Sequence, residues 1–349
     1  MSAGIAIVAL GARTSLGLTA ESTAAAVRAG ISRVREHPFM VDPLGEPLVT
    51  AFEGLLDPSV LGWKRLVALG SSALREAVLK VTGNPPSPQA LRVLVALPEL
   101  RPGFSSNDAG HTLRGLEHEL SKIGVEAKVE LAGNGHAGAL RGLQVAVGQL
   151  AQRQSELVIV GGVESYLEAD TLDWLAASRR LAANDVRSGF HPGEGAGFVV
   201  LGATDVASRL RLAPLASIRG AASSMEERSF EKDVEVLGEG LAAAIVDATS
   251  NLRLPDEAID TVLCDINGER YRSTEWGMSV LRIQHVVRDS AYDAPADCWG
   301  DVGAAWGALG CILAVQSWQR GYARGARTLV WGSSDSGLRG AAVLERAGG

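Results

Sequence analysis

An eight-residue pattern occurs twice in this 349-residue chain: GHAGALRG at 135–142 and GDVGAAWG at 300–307, both of the form G-x-x-G-A-x-x-G. Each copy opens a long apolar run of helical character, reaching Gln152 in the first and Trp318 in the second. The surroundings repeat as well. LRVLVALPEL (91–100) precedes the first copy and IDTVLCDING (259–268) the second. ELVIVGGVES (156–165) and then GEGAGFVVLG (193–202) follow the first; RTLVWGSSDSG (327–337) and then GAAVLER (340–346) follow the second. The order strand–helix–strand–strand therefore appears twice, and a repeated order of this kind indicates a duplicated supersecondary unit.

Short Val/Ile-rich runs bounded by glycine are expected to be strands buried on both faces. The two repeated helices, 136–152 and 301–318, carry few polar side chains on any face and are expected to be buried all round. Glycine and alanine at helical spacing along them would let two backbones approach closely. The expected fold is α/β, with duplicated halves at 1–205 and 206–349. Ala20–Ala29, Gly62–Val81 and Leu237–Thr249 have helical periodicity, whereas the polar stretches 101–117 and 221–234 are expected to be surface loops.

Composition narrows the partners. With a net charge of −7 and no Lys/Arg block, the chain lacks the footprint of a nucleic-acid binder. No apolar run approaches the ~18 residues of a membrane span, and no cationic segment precedes Ile5–Leu10, so no signal peptide is expected. Cys264, Cys298 and Cys311 without CxxC spacing suit a reducing cytoplasm. They give no metal-ligand spacing, and no cofactor is expected.

The chain resembles the thiolase superfamily, and within it the β-ketoacyl-carrier-protein synthases. The residues that carry the likeness are IAIVALGARTSLGLTAESTAAAVRAGISRV (5–34), with its strand, Gly-rich turn and helix; ELVIVGGVES, which resembles the family's A-G-G-x-E turn; and RSGFHPGEGAGFVVL (187–201), which is similar to its R-D-G-F-x-x-G-E-G-A-G stretch. The resemblance implies a five-layered α-β-α-β-α architecture with the repeated helices in the middle layer. It implies a dimer joined through the strand of the GG turn, here near Glu156–Gly161. It also implies condensing chemistry by a Cys-His-His set, which this chain does not carry. The nucleophile position falls on His136, or on Gly135 by a second alignment. The first catalytic His is matched by Asn267, the second by Asp301, and a nearby Lys by Ala296. The gating loop is matched by Ser333–Gly337 with no aromatic residue.

Claisen condensation needs a thiolate to carry the acyl group and two donors to polarise the malonyl thioester. Asn267 could still donate, but an ionised Asp301 at a helix start would repel an enolate. The resemblance thus implies a ketosynthase-like protein without condensing activity, acting as a binding partner, subunit or adaptor. Its partner would be a second copy or a ketosynthase-like paralogue, an acyl carrier protein, or a component of a secretion system, since similar ketosynthase-like proteins accompany such systems. The alternative is an acyl-transfer or hydrolytic enzyme using His136 and Asp301 as a base and its orienting acid. With no thiolate to serve, the acyl tunnel is expected to be filled by Trp306 or Arg141, with His136 against Asp301 or Asn267. Glu164 and Glu194, each next to a strand-end glycine, are expected to hold turns.

Overall fold

The computed structural model describes residues 4–41, 45–82, 91–183, 185–228 and 236–348. The apolar runs form strands. In chain order the first part contains β1 (Ile5–Thr14), α1 (Ala20–Arg28), a small hairpin β2 (Arg35–Val41) and β3 (Pro47–Thr50), α2 (Gly62–Leu79), β4 (Leu91–Leu97), α3 (Ser106–Lys122), β5 (Ala127–Asn134), α4 (Gly138–Ala151), β6 (Leu157–Ser165), α5 (Ala169–Ala177) and β7 (Glu194–Ala203). The second contains α6 (Thr204–Arg209), β8 (Ala216–Met225), α7 (Glu239–Thr249), β9 (Thr261–Leu263), α8 (Arg270–Ile283), the short α9 (Ala296–Trp299), α10 (Trp306–Gln319), β10 (Arg327–Ser333) and β11 (Leu338–Arg346).

Nine of the described strands join in the order β5-β4-β6-β7-β1-β8-β11-β10-β9. The two parts of this sheet meet through only three residue pairs, Ile5↔Ile218, Ala6↔Ser217 and Ile7↔Ala216. Helices α2 and α3 cover the first part, and α7 and α8 the second. Between them lie α4 and α10, each touching strands of both parts and each other. The layering is the expected one. Gly307 makes the helix contact possible: a Cβ there would lie 3.0 Å from Leu140 Cγ and 3.1 Å from Ala139 Cβ.

Four expectations need correction. Residues 106–122 are helix α3, not loop. Ser105 and Asp108 form a reciprocal capping box at its start, and Thr112, Leu116 and Leu120 give it a buried face. Residues 221–225 belong to β8, while 229–235 lie outside the described residues. Strand β6 cannot join two subunits, because β4 and β7 flank it on both sides; the sheet ends at β5 and at the three-residue β9. Finally, α10 is buried through most of its length, but α4 exposes Arg141, Gln144 and Val145. Among the described residues, no helix is long and apolar enough to cross a membrane.

Candidate functional site

The two G-x-x-G turns bring their second residues together. Gly135 takes a left-handed conformation (φ 69°) and ends the β5 segment. A Cβ there would strike Ser334 Oγ at 2.7 Å, so the turn requires glycine. His136 follows it, two residues ahead of α4. The other turn differs from expectation. Asp301 does not open α10: a single 3₁₀ turn over Gly303–Ala305 intervenes, and the α-helix begins only at Trp306. Asp301 is fixed by its backbone instead, donating its N–H to His191 O (2.7 Å) and accepting from Gly193 N–H (2.9 Å). The HPGEG stretch and the second repeat are thereby joined.

His136 and Asp301 form a buried pair, with Nε2 lying 2.8 Å from Oδ1 and 3.0 Å from Oδ2. Asp301 Oδ1 also accepts from Gly303 N–H (2.7 Å) and from the Tyr166 hydroxyl (3.3 Å), and its Oδ2 accepts from Asn267 Nδ2. His136, Asn267 and Asp301 are thus brought together, with Asp301 bonded to both of the others. Burial disfavours the Asp301 carboxylate, yet His136, Arg272 and the hydrogen bonds outweigh it and hold its pKa well below the ordinary value. For His136, burial and Arg272 push the pKa down; the Asp301 charge overcomes both, and the imidazole pKa stands above the ordinary value.

Around this pair lies a cluster that the sequence does not announce. Arg272 on α8 is fully buried. It donates Nη1–H to Asp265 (2.7 Å) and to Ser333 O (2.8 Å), while Nη2 lies 3.4 Å from both His136 Nδ1 and Asp335. Arg180 pairs with Glu269 at 2.6 and 3.0 Å and with Asp335 at 2.7 Å. Asp335 also accepts from the Tyr271 hydroxyl (2.6 Å). Two carboxylate oxygens of Glu99 receive the backbone N–H groups of Asp335 and Ser336, both at 2.9 Å. The loop Ser333–Gly337 is therefore tied down by charged side chains. Nothing in the spacing of these residues signals the cluster; the one available clue was the density of charge just after IDTVLCDING.

Little space remains at the centre. The void bounded by His136, Cys264, Asn267, Trp299, Asp301 and Trp306 measures about 10 Å³, room for one water at most. Trp299 and Trp306 are buried, and Trp306 donates Nε1–H to Trp331 O (2.7 Å). Trp306 is buried against this void, whereas Arg141 is exposed. Ala296 lines the same void. Cys264 and Cys311 are buried and Cys298 is half-buried; none forms a disulfide. Among the described residues, no group of three His, Cys, Asp or Glu side chains could hold a metal ion. Glu164 and Glu194 act at turns: Glu164 accepts from Ala304 N–H (3.2 Å) and Arg101 (2.6 Å), and Glu194 from Glu53 N–H (2.7 Å) and Arg65 (2.6 Å).

Residues 135–207 match the family model of the β-ketoacyl synthase N-terminal domain. No curated protein sequence matches the chain. Among solved structures, it is similar to the ishigamide ketosynthase/chain length factor (16% identity, TM-score 0.82, all of both chains covered). It is also similar to a type II polyketide-synthase acyl-carrier protein in complex with its ketosynthase bound to the hexaketide, AntDE:AntF (14% identity, TM-score 0.80, all of both chains). A third is a β-ketoacyl synthase from Burkholderia phymatum STM815 (15% identity, TM-score 0.76, 99% of this chain and 100% of that one). The chain thus has the thiolase-like fold of the β-ketoacyl synthases over essentially its whole length.

Proposed function

We propose that this protein is a ketosynthase-like subunit without condensing activity, which acts in the cytoplasm by binding a partner. The observation that supports this reading is the closed centre. A thiolate acyl carrier is missing at 135–136, and the positions that would polarise a malonyl thioester are consumed by the His136–Asp301–Asn267 contact. An acid held ionised at Asp301 opposes enolate formation, and a 10 Å³ void admits no acyl chain. The acyl-transfer or hydrolytic alternative needs a free ring nitrogen on His136. One nitrogen faces Asp301 and the other faces Arg272, which favours a structural role for both.

Within this reading the chain is a duplicated pair of halves, 1–205 and 206–349. Its partner is a second copy or a ketosynthase-like paralogue seated on the β5 edge and the exposed side of α4. The similarity to a ketosynthase/chain length factor and to a ketosynthase in complex with an acyl-carrier protein makes a paralogue or carrier protein the first partner to try; a secretion-system component comes next. The test is incubation with acyl- and malonyl-carrier protein, followed by mass spectrometry of the intact chain. We expect no ketoacyl product and no mass gain. A covalent acyl adduct on Cys264 or Cys298 overturns the reading.

A further inference from the structure

The centre is closed, yet a much larger space lies on the other side of α9. A cleft of about 410 Å³ opens between the edge of the second part of the sheet and the C-terminal half of α10, within the size range of small-molecule sites. Its floor is apolar, formed by Val27, Leu263, Ala294 and Leu313. The paired strand residues Thr261 and Thr328 add two hydroxyl groups to it. The wall is anchored: Arg33 N–H donates to Cys298 O (2.8 Å) and Ser32 Oγ to Asp297 O (2.8 Å), fixing the segment after α1 to α9.

The mouth has the opposite chemistry. Arg28, at the end of α1, lies with its guanidinium 4.3 Å from the Tyr322 ring centre. A guanidinium stacked on a ring keeps its in-plane N–H groups free for a bidentate oxyanion. Arg324 also lines the mouth and pairs with Asp293. The charged residues that line the cleft are thus two guanidiniums, Arg28 and Arg324, and one carboxylate, Asp293, with Asp297 behind Cys298.

We propose that this cleft binds an amphipathic carboxylate, with an aliphatic chain along the Val27–Leu263–Leu313 floor and its head group at Arg28. The proposal does not rest on the loss of condensing activity, since none of its residues takes part in the His136–Asp301 contact. Cys298 lines the cleft and is half-buried, while Cys264 and Cys311 are fully buried, so Cys298 is the thiol that a small alkylating reagent reaches.

The experiment is iodoacetamide labelling of the whole chain at about pH 9, where a fraction of the thiol ionises although burial and Asp297 raise its pKa, read by peptide mass spectrometry with decanoate or decanol present. Decanoate is expected to slow labelling of Cys298 by about tenfold or more, and decanol far less, because a charge-assisted pair contributes roughly a factor of ten. Arg28→Ala, at an exposed position, should raise the protecting concentration of decanoate about tenfold. Ser317→Trp should block the cleft and abolish protection. The proposal falls if decanoate gives no protection, if decanol protects equally, or if protection is unchanged in Arg28→Ala. Should Ser317→Trp fail to fold, the Arg28→Ala comparison decides alone.

Discussion

At residue scale, the His136–Asp301 pair makes stability depend on pH in a definite direction. His136 has a raised pKa in the folded chain, so its contribution is complete below the ordinary histidine value of about 6.5 and is lost as pH rises through the raised value. Asp301 has a depressed pKa, so its contribution is complete above about 4 and is lost as pH falls. The pair is therefore fully effective between roughly pH 4 and 6.5. Thermal unfolding followed across pH should show a loss on the alkaline side that His136→Gln flattens; the comparison is read on that limb, because removing His136 also changes the titration of Asp265 and Asp301. A wild type and variant with parallel profiles from pH 6 to pH 9 would mean the imidazole is not charged in the fold. Asp301→Ala strands the imidazolium, Asn267 and Gly303 N–H in a dry site, and should lower stability by about 3–5 kcal/mol in urea titration. That His136 and Asp301 converge was legible from the two G-x-x-G turns, whereas Asn267 was placed beside them only by the family resemblance of the 259–268 stretch. Arg272, Arg180 and Asp335 were not legible, because they reach the site from α8 and from loops whose spacing carries no period.

At element scale, the middle layer depends on small residues where α4 crosses α10. Ala96, Ala139, Ala304 and Ala308 form their own buried cluster there, and Gly307 faces Leu140 at a distance that leaves no room for a branched side chain. Gly307→Val should destabilise by about 1–3 kcal/mol through overpacking, measured by chemical unfolding. Gly148→Ala, where nothing lies within 4 Å of the added Cβ, should be neutral or slightly stabilising, as alanine is the better helix former. Equal effects at the two sites would mean that the helices can move apart. The repeat revealed these helices because its G-A spacing is local. Helix α3 escaped notice because its polar composition resembles a loop, although Ser105 and Asp108 stand at capping-box spacing and Thr112, Leu116 and Leu120 recur every four residues. The delayed start of α10 was hidden for a different reason: Gly303 takes a left-handed φ of 40°, and a glycine's backbone angle cannot be inferred from its neighbours.

At the scale of the whole molecule, strand order decides where a partner sits, and strand order is not local information. The run Glu156–Gly161 is apolar enough to look like an interface strand, but it is apolar because both its edges and both its faces are covered. The sheet ends in β5 and β9; β9 is only three residues long and bonds Asp293 on its outer side, so the long open edge is β5, which pairs only with β4. Its Leu131 is 47% exposed, and beside it α4 presents Val145 at 40%. Gln144 of α4 accepts a hydrogen bond from Ser223 of β8 (2.6 Å), and Met225, at the end of β8, is 61% exposed. An open edge next to apolar side chains is a liability that soluble proteins cover, and a two-fold axis through β5 would cover it with the same strand from a second chain. Light scattering at micromolar concentration should therefore give twice the chain mass, or a one-to-one complex once a ketosynthase-like paralogue is added. Leu131→Lys combined with Val145→Glu places charges on that surface without touching the core, and should return either assembly to single chains with the unfolding midpoint of the dilute protein. A chain that stays single at all concentrations, with paralogue and carrier protein both present, removes the partner role. A dimer that survives the double substitution moves the interface away from β5.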